Sequence, residues 1–139
     1  MTNFLTLKGK CSEFGGPKDM GVSPSEGLAL YEHEDVATHP WLFLHTQPPH
    51  TTGVARRLNP NVHYIACRWD YHVTPRAWLR KIKVSVINPK TQREFDAYPV
   101  DWGPHPDTHR IADLSPGLLE HLELETDSEV EVRIPLPNV

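Results

Sequence analysis

The stretch DWGPHPDTHRIADLS, residues 101–115, gathers Asp101, Trp102, His105, His109, Arg110 and Asp113, and nothing else in the chain is as dense in chemistry-bearing groups. Asp101 and Asp113 mark the two ends of one loop, so the strands before and after it can bring both carboxylates to a common groove. Such a pair suits acid/base cleavage of a glycosidic bond. One carboxyl is kept protonated by burial or a neighbouring negative charge, while the other activates water or stabilises positive charge. A separation of roughly 5–5.5 Å predicts retention of configuration and about 6.5–9.5 Å inversion. The same residues fit a second reading. Asp113 precedes a helix cap by two positions and Asp101 precedes Trp-Gly-Pro, and aspartates in such places bond turn N–H groups.

Neighbouring motifs carry other chemistries. In HPDTH, His105, Asp107 and His109 stand at i, i+2 and i+4, and these side chains are ordinary zinc ligands. Pro106 bends that loop, the cysteines are distant in sequence, and no HExxH or paired-Cys motif is present. No metal or other cofactor is therefore expected, and His105 and His109 are assigned to bonding the aspartates or contacting substrate. In RWDY (68–71), Arg68 and Asp70 share a polar strand face and predict a surface ion pair. Trp69 and Tyr71 are expected in the core with Ile65. Gly15-Gly16-Pro17 lacks the lysine and the strand-to-helix setting of a phosphate loop and reads as a turn.

The elements that must position these groups are short. Fourteen prolines break the chain, and no periodic apolar stretch exceeds about a dozen residues, which excludes long helices. KIKVSVI (81–87) alternates as a half-buried strand, NPKT is a turn, and QREFDAYPV runs back toward Asp101. Pro99 cannot donate to a ladder, so that strand ends at an edge or a bulge. HYIACRWDY and SEVEVRI alternate as further strands, and NFLTLKGKCSEF is extended. SPGLLEHLEL is the clearest helix, with Ser115 as N-cap, Pro116 at the first position and a Leu118, Leu119, Leu122 stripe. EGLALYEHE (26–34) fits helix or strand, and residues 19–62 read as an irregular excursion able to cover or frame a groove. The sum is an all-β domain, a closed barrel rather than an open sheet, with one or two short helices.

Bulk properties narrow the function. The chain has 139 residues, enough for one domain, residues 1–139, with its own core. A net charge of −4 with scattered Lys and Arg argues against a nucleic-acid partner held by counterion release. No apolar run approaches a membrane span. The amino terminus, MTNFLTLKGK, lacks a signal peptide's basic start and apolar core, which predicts a cytoplasmic protein or export by a signal-independent route. Cys11 and Cys67 can be a pair or two buried thiols.

Residues 78–134, above all VDWGP and RIADLSPGLLEHLEL, resemble the second half of a double-psi β-barrel, as in RlpA-like lytic transglycosylases, the first domain of expansins and barrel-type endoglucanases. The first half resembles that family only loosely. The resemblance implies one six-stranded double-psi β-barrel over the chain. It implies Asp113, at the aspartate of the family's D-L-S motif, and Asp101, at its D-x-G-P motif, as the catalytic acid/base pair. Trp102, His105 and His109 become groove residues contacting substrate. The partner it implies is a polysaccharide, peptidoglycan or a cellulose-like cell-wall glycan, and the activity that of a lytic transglycosylase or glycoside hydrolase. The family also contains non-catalytic members, so a glycan- or protein-binding module or inhibitor is the alternative.

Overall fold

The computed structural model describes residues 3–137. Six strands form: β1 (Phe4–Glu13), β2 (Tyr64–Cys67), β3 (Val84–Ile87), β4 (Glu94–Trp102), β5 (Arg110–Leu114) and β6 (Glu129–Pro135). They close into a barrel in the order β1-β5-β2-β4-β3-β6. The β1·β5 and β2·β4 neighbours are parallel and the other four pairings antiparallel. Exchanging β1 with β4, β2 with β5 and β3 with β6 maps this set of pairings onto itself. The barrel is thus built from two topologically equivalent halves.

Alternation puts the apolar residues inside. Val84 and Val86 of β3 and Val130, Val132 and Ile134 of β6 are buried, while Glu129 and Arg133, which alternate with them, face solvent. The 81–93 region is the expected hairpin, with β3 and β4 paired antiparallel. At Pro99 the alternative of edge or bulge resolves to a bulge. β4 pairs Pro99 with Ile65 and then Asp101 with Ala66, leaving Val100 as the extra residue. Three short α-helices accompany the barrel: α1 (Asp35–Thr38), α2 (Arg76–Leu79) and α3 (Pro116–His121), one more than the pattern led us to expect. In α3 the Ser115 hydroxyl accepts from Leu118 N at 3.2 Å, and Leu118, Leu119 and Leu122 are buried as their spacing required.

The reading of one strand needs correction in three respects. HYIACRWDY ends as a strand at Cys67, and its four strand residues are all buried because β2 sits between β4 and β5 under covering loops. Trp69 is buried as expected, but Tyr71 is 40% exposed. Nor do Arg68 and Asp70 pair. Arg68 donates to the carbonyls of Pro104 and Arg110, while Asp70 accepts from His72 N within a turn. Their i, i+2 spacing put them on one face only for as long as the strand continued.

Residues 26–34 form neither helix nor strand, and the excursion 19–62 is largely irregular apart from α1 and a 3₁₀ turn at Ala55–Arg57. Guanidinium groups hold it. Arg56 donates to the carbonyls of Pro17, Asp19 and Val22 at 2.9, 2.7 and 2.8 Å, and Arg76 and Arg80 reach those of Ala29 and Leu30 from the α2 region. Arg80 also binds the Asp35 carboxylate with two nitrogens at 2.9 and 3.0 Å, which holds that carboxyl well below its ordinary range. Planar forks satisfy carbonyls that no ladder reaches. Replacing Arg56 with Met is expected to lower the unfolding free energy by about 2–4 kcal/mol, since three charge-assisted bonds go together. Lys at this position should recover little, having no fork to span three acceptors. Urea-denaturation midpoints of the three proteins measure the difference.

Candidate functional site

Register decides where the aspartates stand. Ala66 on β2 is paired with Asp101 across the parallel β2·β4 ladder and with Asp113 across the antiparallel β2·β5 ladder. Asp113 is in turn paired with Ser12 on β1. Ser12, Asp113, Ala66 and Asp101 therefore form one row across four adjacent strands. In-register residues point to the same face of a sheet, so the two carboxylates flank the Ala66 methyl group. Two irregularities set this row. Val100 on β4 and Ile111 on β5 are each skipped by the parallel pairing, and each skip re-aims the aspartate that follows. With two inter-strand spacings between them, the Asp101 and Asp113 Cα atoms lie roughly 10 Å apart.

A cavity of about 360 Å³ opens over this row. Ala66, Asp101 and Asp113 form its floor, Trp102, Gly103, Pro104 and His105 one wall, and Phe14, Gly21, Val22 and Glu26 the other. The excursion thus frames the groove. Gly15, whose φ is +84°, turns the chain out of β1 to begin that second wall, and an added Cβ there would collide with the Tyr64 hydroxyl.

The two carboxylates live in different surroundings. Asp101 Oδ1 accepts from the backbone N–H of Ala29 and of Trp102, both at 2.8 Å, so it ties the excursion to the end of β4. Burial pushes its proton affinity above the ordinary aspartate range, and the two N–H donors oppose that rise. Among the described residues, none donates a hydrogen bond to the Asp113 side chain. Burial raises Asp113 to about 6, the Arg110 guanidinium opposes the rise, and the negative charge of Asp101 reinforces it. Environment therefore separates two chemically identical groups.

The remaining predicted site residues are placed as follows. Trp102 lies on the rim with 44% of its surface exposed, its indole N–H donating to the Trp69 carbonyl. Trp69 in turn donates to the Asp101 carbonyl, so the two indoles brace the end of β4. His105 lines the groove, mostly exposed, with Nδ1 accepting from Asp107 N. His109 ends the 3₁₀ turn Pro106–Thr108 in a left-handed conformation, is exposed, and does not line the groove. No cluster of three or more His, Cys, Asp or Glu side chains among the described residues is arranged to hold a metal ion. Cys11 and Cys67 are free and buried. Both pair with Ala112, from opposite sides, and two strand spacings exceed the reach of a disulfide.

Sequence reasoning missed Ala66, Phe14 and Glu26. Glu26 lies in the segment that follows neither period, and Ala66 acquires its role only from the strands on either side. No family model and no curated protein matches the chain.

Proposed function

We propose that the protein is a double-psi β-barrel that cleaves a cell-wall polysaccharide, with Asp113 as the proton donor and Asp101 as its partner. The observation that carries this reading is the asymmetry of the pair. A carboxyl raised to about 6, with no hydrogen bond to its side chain among the described residues, stands across an alanine from a carboxylate fixed by two N–H donors. The doubled pairing pattern supports the barrel type. Trp102 offers an exposed indole on which a sugar face can stack. In this mechanism Asp113 gives its proton to the glycosidic oxygen as the bond breaks. Asp101 stabilises positive charge developing on the sugar ring or orients the attacking hydroxyl. Peptidoglycan is the leading substrate, with attack by the sugar's own 6-hydroxyl giving an anhydro product. Attack by water gives a reducing end.

One observation favours a binding module instead. Asp101 already has a structural task, clamping Ala29, and an aspartate so employed needs no catalytic one.

The test is incubation of the protein, and of its Asp101→Asn and Asp113→Asn variants, with isolated peptidoglycan and with cellulose, reading soluble products by mass spectrometry. Anhydro-sugars lost in both variants establish a transglycosylase, and reducing sugars a hydrolase. No product from any folded sample overturns cleavage of these polymers and leaves the binding reading. The rate should also carry a signature. Because the acid must be protonated, activity is expected to decline as pH rises through about 6. A rate that is flat from pH 5 to 8 removes Asp113 from the role of acid.

A further inference from the structure

A second cavity, about 550 Å³, lies away from the aspartate groove, inside the excursion. Phe43 and Leu44 give it an apolar wall, and Glu34, Arg57, His33 and His45 give it polar groups. Arg57 is fixed there by Nη2, which donates to the carbonyls of Leu44 and His45, both at 3.2 Å. Its Nε is the one buried side-chain polar atom among the described residues without a hydrogen-bond partner. Native chains seldom leave a buried donor in that condition, because its desolvation goes uncompensated. Arg57 has no carboxylate partner among the described residues, and its acceptors are the two loop carbonyls. Glu34 lines the same cavity, is exposed, and is likewise unpaired.

A cavity with a fixed guanidinium, an unpaired carboxylate and an apolar wall has the complement of a molecule carrying both charges and an apolar body. We propose that it binds a free α-amino acid with an apolar side chain. The ligand carboxylate is held by Arg57, its ammonium by Glu34, and its side chain lies against Phe43 and Leu44. A simple anion would meet Glu34 as a repulsive neighbour, and a simple cation would meet Arg57. Only a zwitterion satisfies both. The volume suits a ligand of this size with ordered water beside it. This site stands independently of the glycan reading and of Asp101 and Asp113.

Titration of the full chain with phenylalanine and with leucine, followed by NMR and calorimetry, tests the proposal against N-acetyl-phenylalanine and phenylalanine amide. Saturable binding of the free amino acid is expected, weakened about tenfold or more by either blocking group, since each removes one charge-assisted contact. Arg57→Met should abolish binding but also frees two loop carbonyls. Glu34→Gln is therefore the decisive variant, because its side chain makes no hydrogen bond or ion pair among the described residues. It should weaken phenylalanine about tenfold and leave the N-acetyl compound unaffected. No saturable binding of either amino acid up to roughly 10 mM overturns the proposal. So does N-acetyl-phenylalanine binding as tightly as phenylalanine.

Discussion

Asp113→Asn is expected to remove at least about a hundredfold of any glycan-cleaving rate and, at the same time, to make the folded protein more stable at neutral pH. Both effects come from one cause. Burial raises the Asp113 carboxyl to about 6, against an ordinary value of 3.8. The folded chain therefore holds a proton on Asp113 between about pH 4 and 6 that the unfolded chain has released. Stability then falls as pH rises through that window, and the deficit persists above it. The amide cannot ionise and escapes this loss, which amounts to at most about 3 kcal/mol for a group in partial contact with water. Thermal unfolding of both proteins at pH 4 and pH 7.5 measures it. The two should melt together at pH 4, with the variant higher at pH 7.5. An aspartate that only supported the turn would gain nothing from the amide at either pH, so equal melting at pH 7.5 defeats the electrostatic account.

At Asp101 the informative experiment is the contrast between two substitutions. Alanine removes the acceptor that joins Ala29 N–H to Trp102 N–H, and is expected to destabilise the fold by about 2–3 kcal/mol and to loosen residues near Ala29. Asparagine keeps an oxygen in the same place and should lose less than about 1 kcal/mol. Activity separates the two tasks. If the carboxylate partners Asp113 in catalysis, both variants lose the rate. If Asp101 is only a clamp, asparagine retains it and alanine does not. Hydrogen exchange at the Ala29 amide reports the clamp, and product release from peptidoglycan reports the chemistry.

These expectations began with residues legible in the sequence, though unevenly. Alternation in VSVI and EVEVRI and the Ser-Pro cap of α3 were strong local signals, because period and capping depend on neighbours in the chain. The same reasoning overran β2. RWDY continues the alternation of YIAC, but the strand ends at Cys67, and the Arg68 side chain is engaged by the carbonyls of Pro104 and Arg110 some forty residues away. Residues 26–34 follow neither period, and their backbone is met piecemeal: Arg76 and Arg80 reach the carbonyls of Ala29 and Leu30, while Asp101 and the Val100 carbonyl accept from their N–H groups.

What the sequence determined by itself was the alternating strands, the capped helix α3 and the closed-barrel class, since these follow from residue type and short-range spacing. The tertiary structure alone decided how those aspartates stand. Parallel pairing of β4 with β2 and antiparallel pairing of β5 with β2 join residues between 34 and 49 positions apart, and two skipped residues set the register. The placement of Ala66 between the carboxylates, the different proton affinities of the pair and the separation of the cysteines across Ala112 all follow from register. A shift of one residue would turn those side chains to the opposite face.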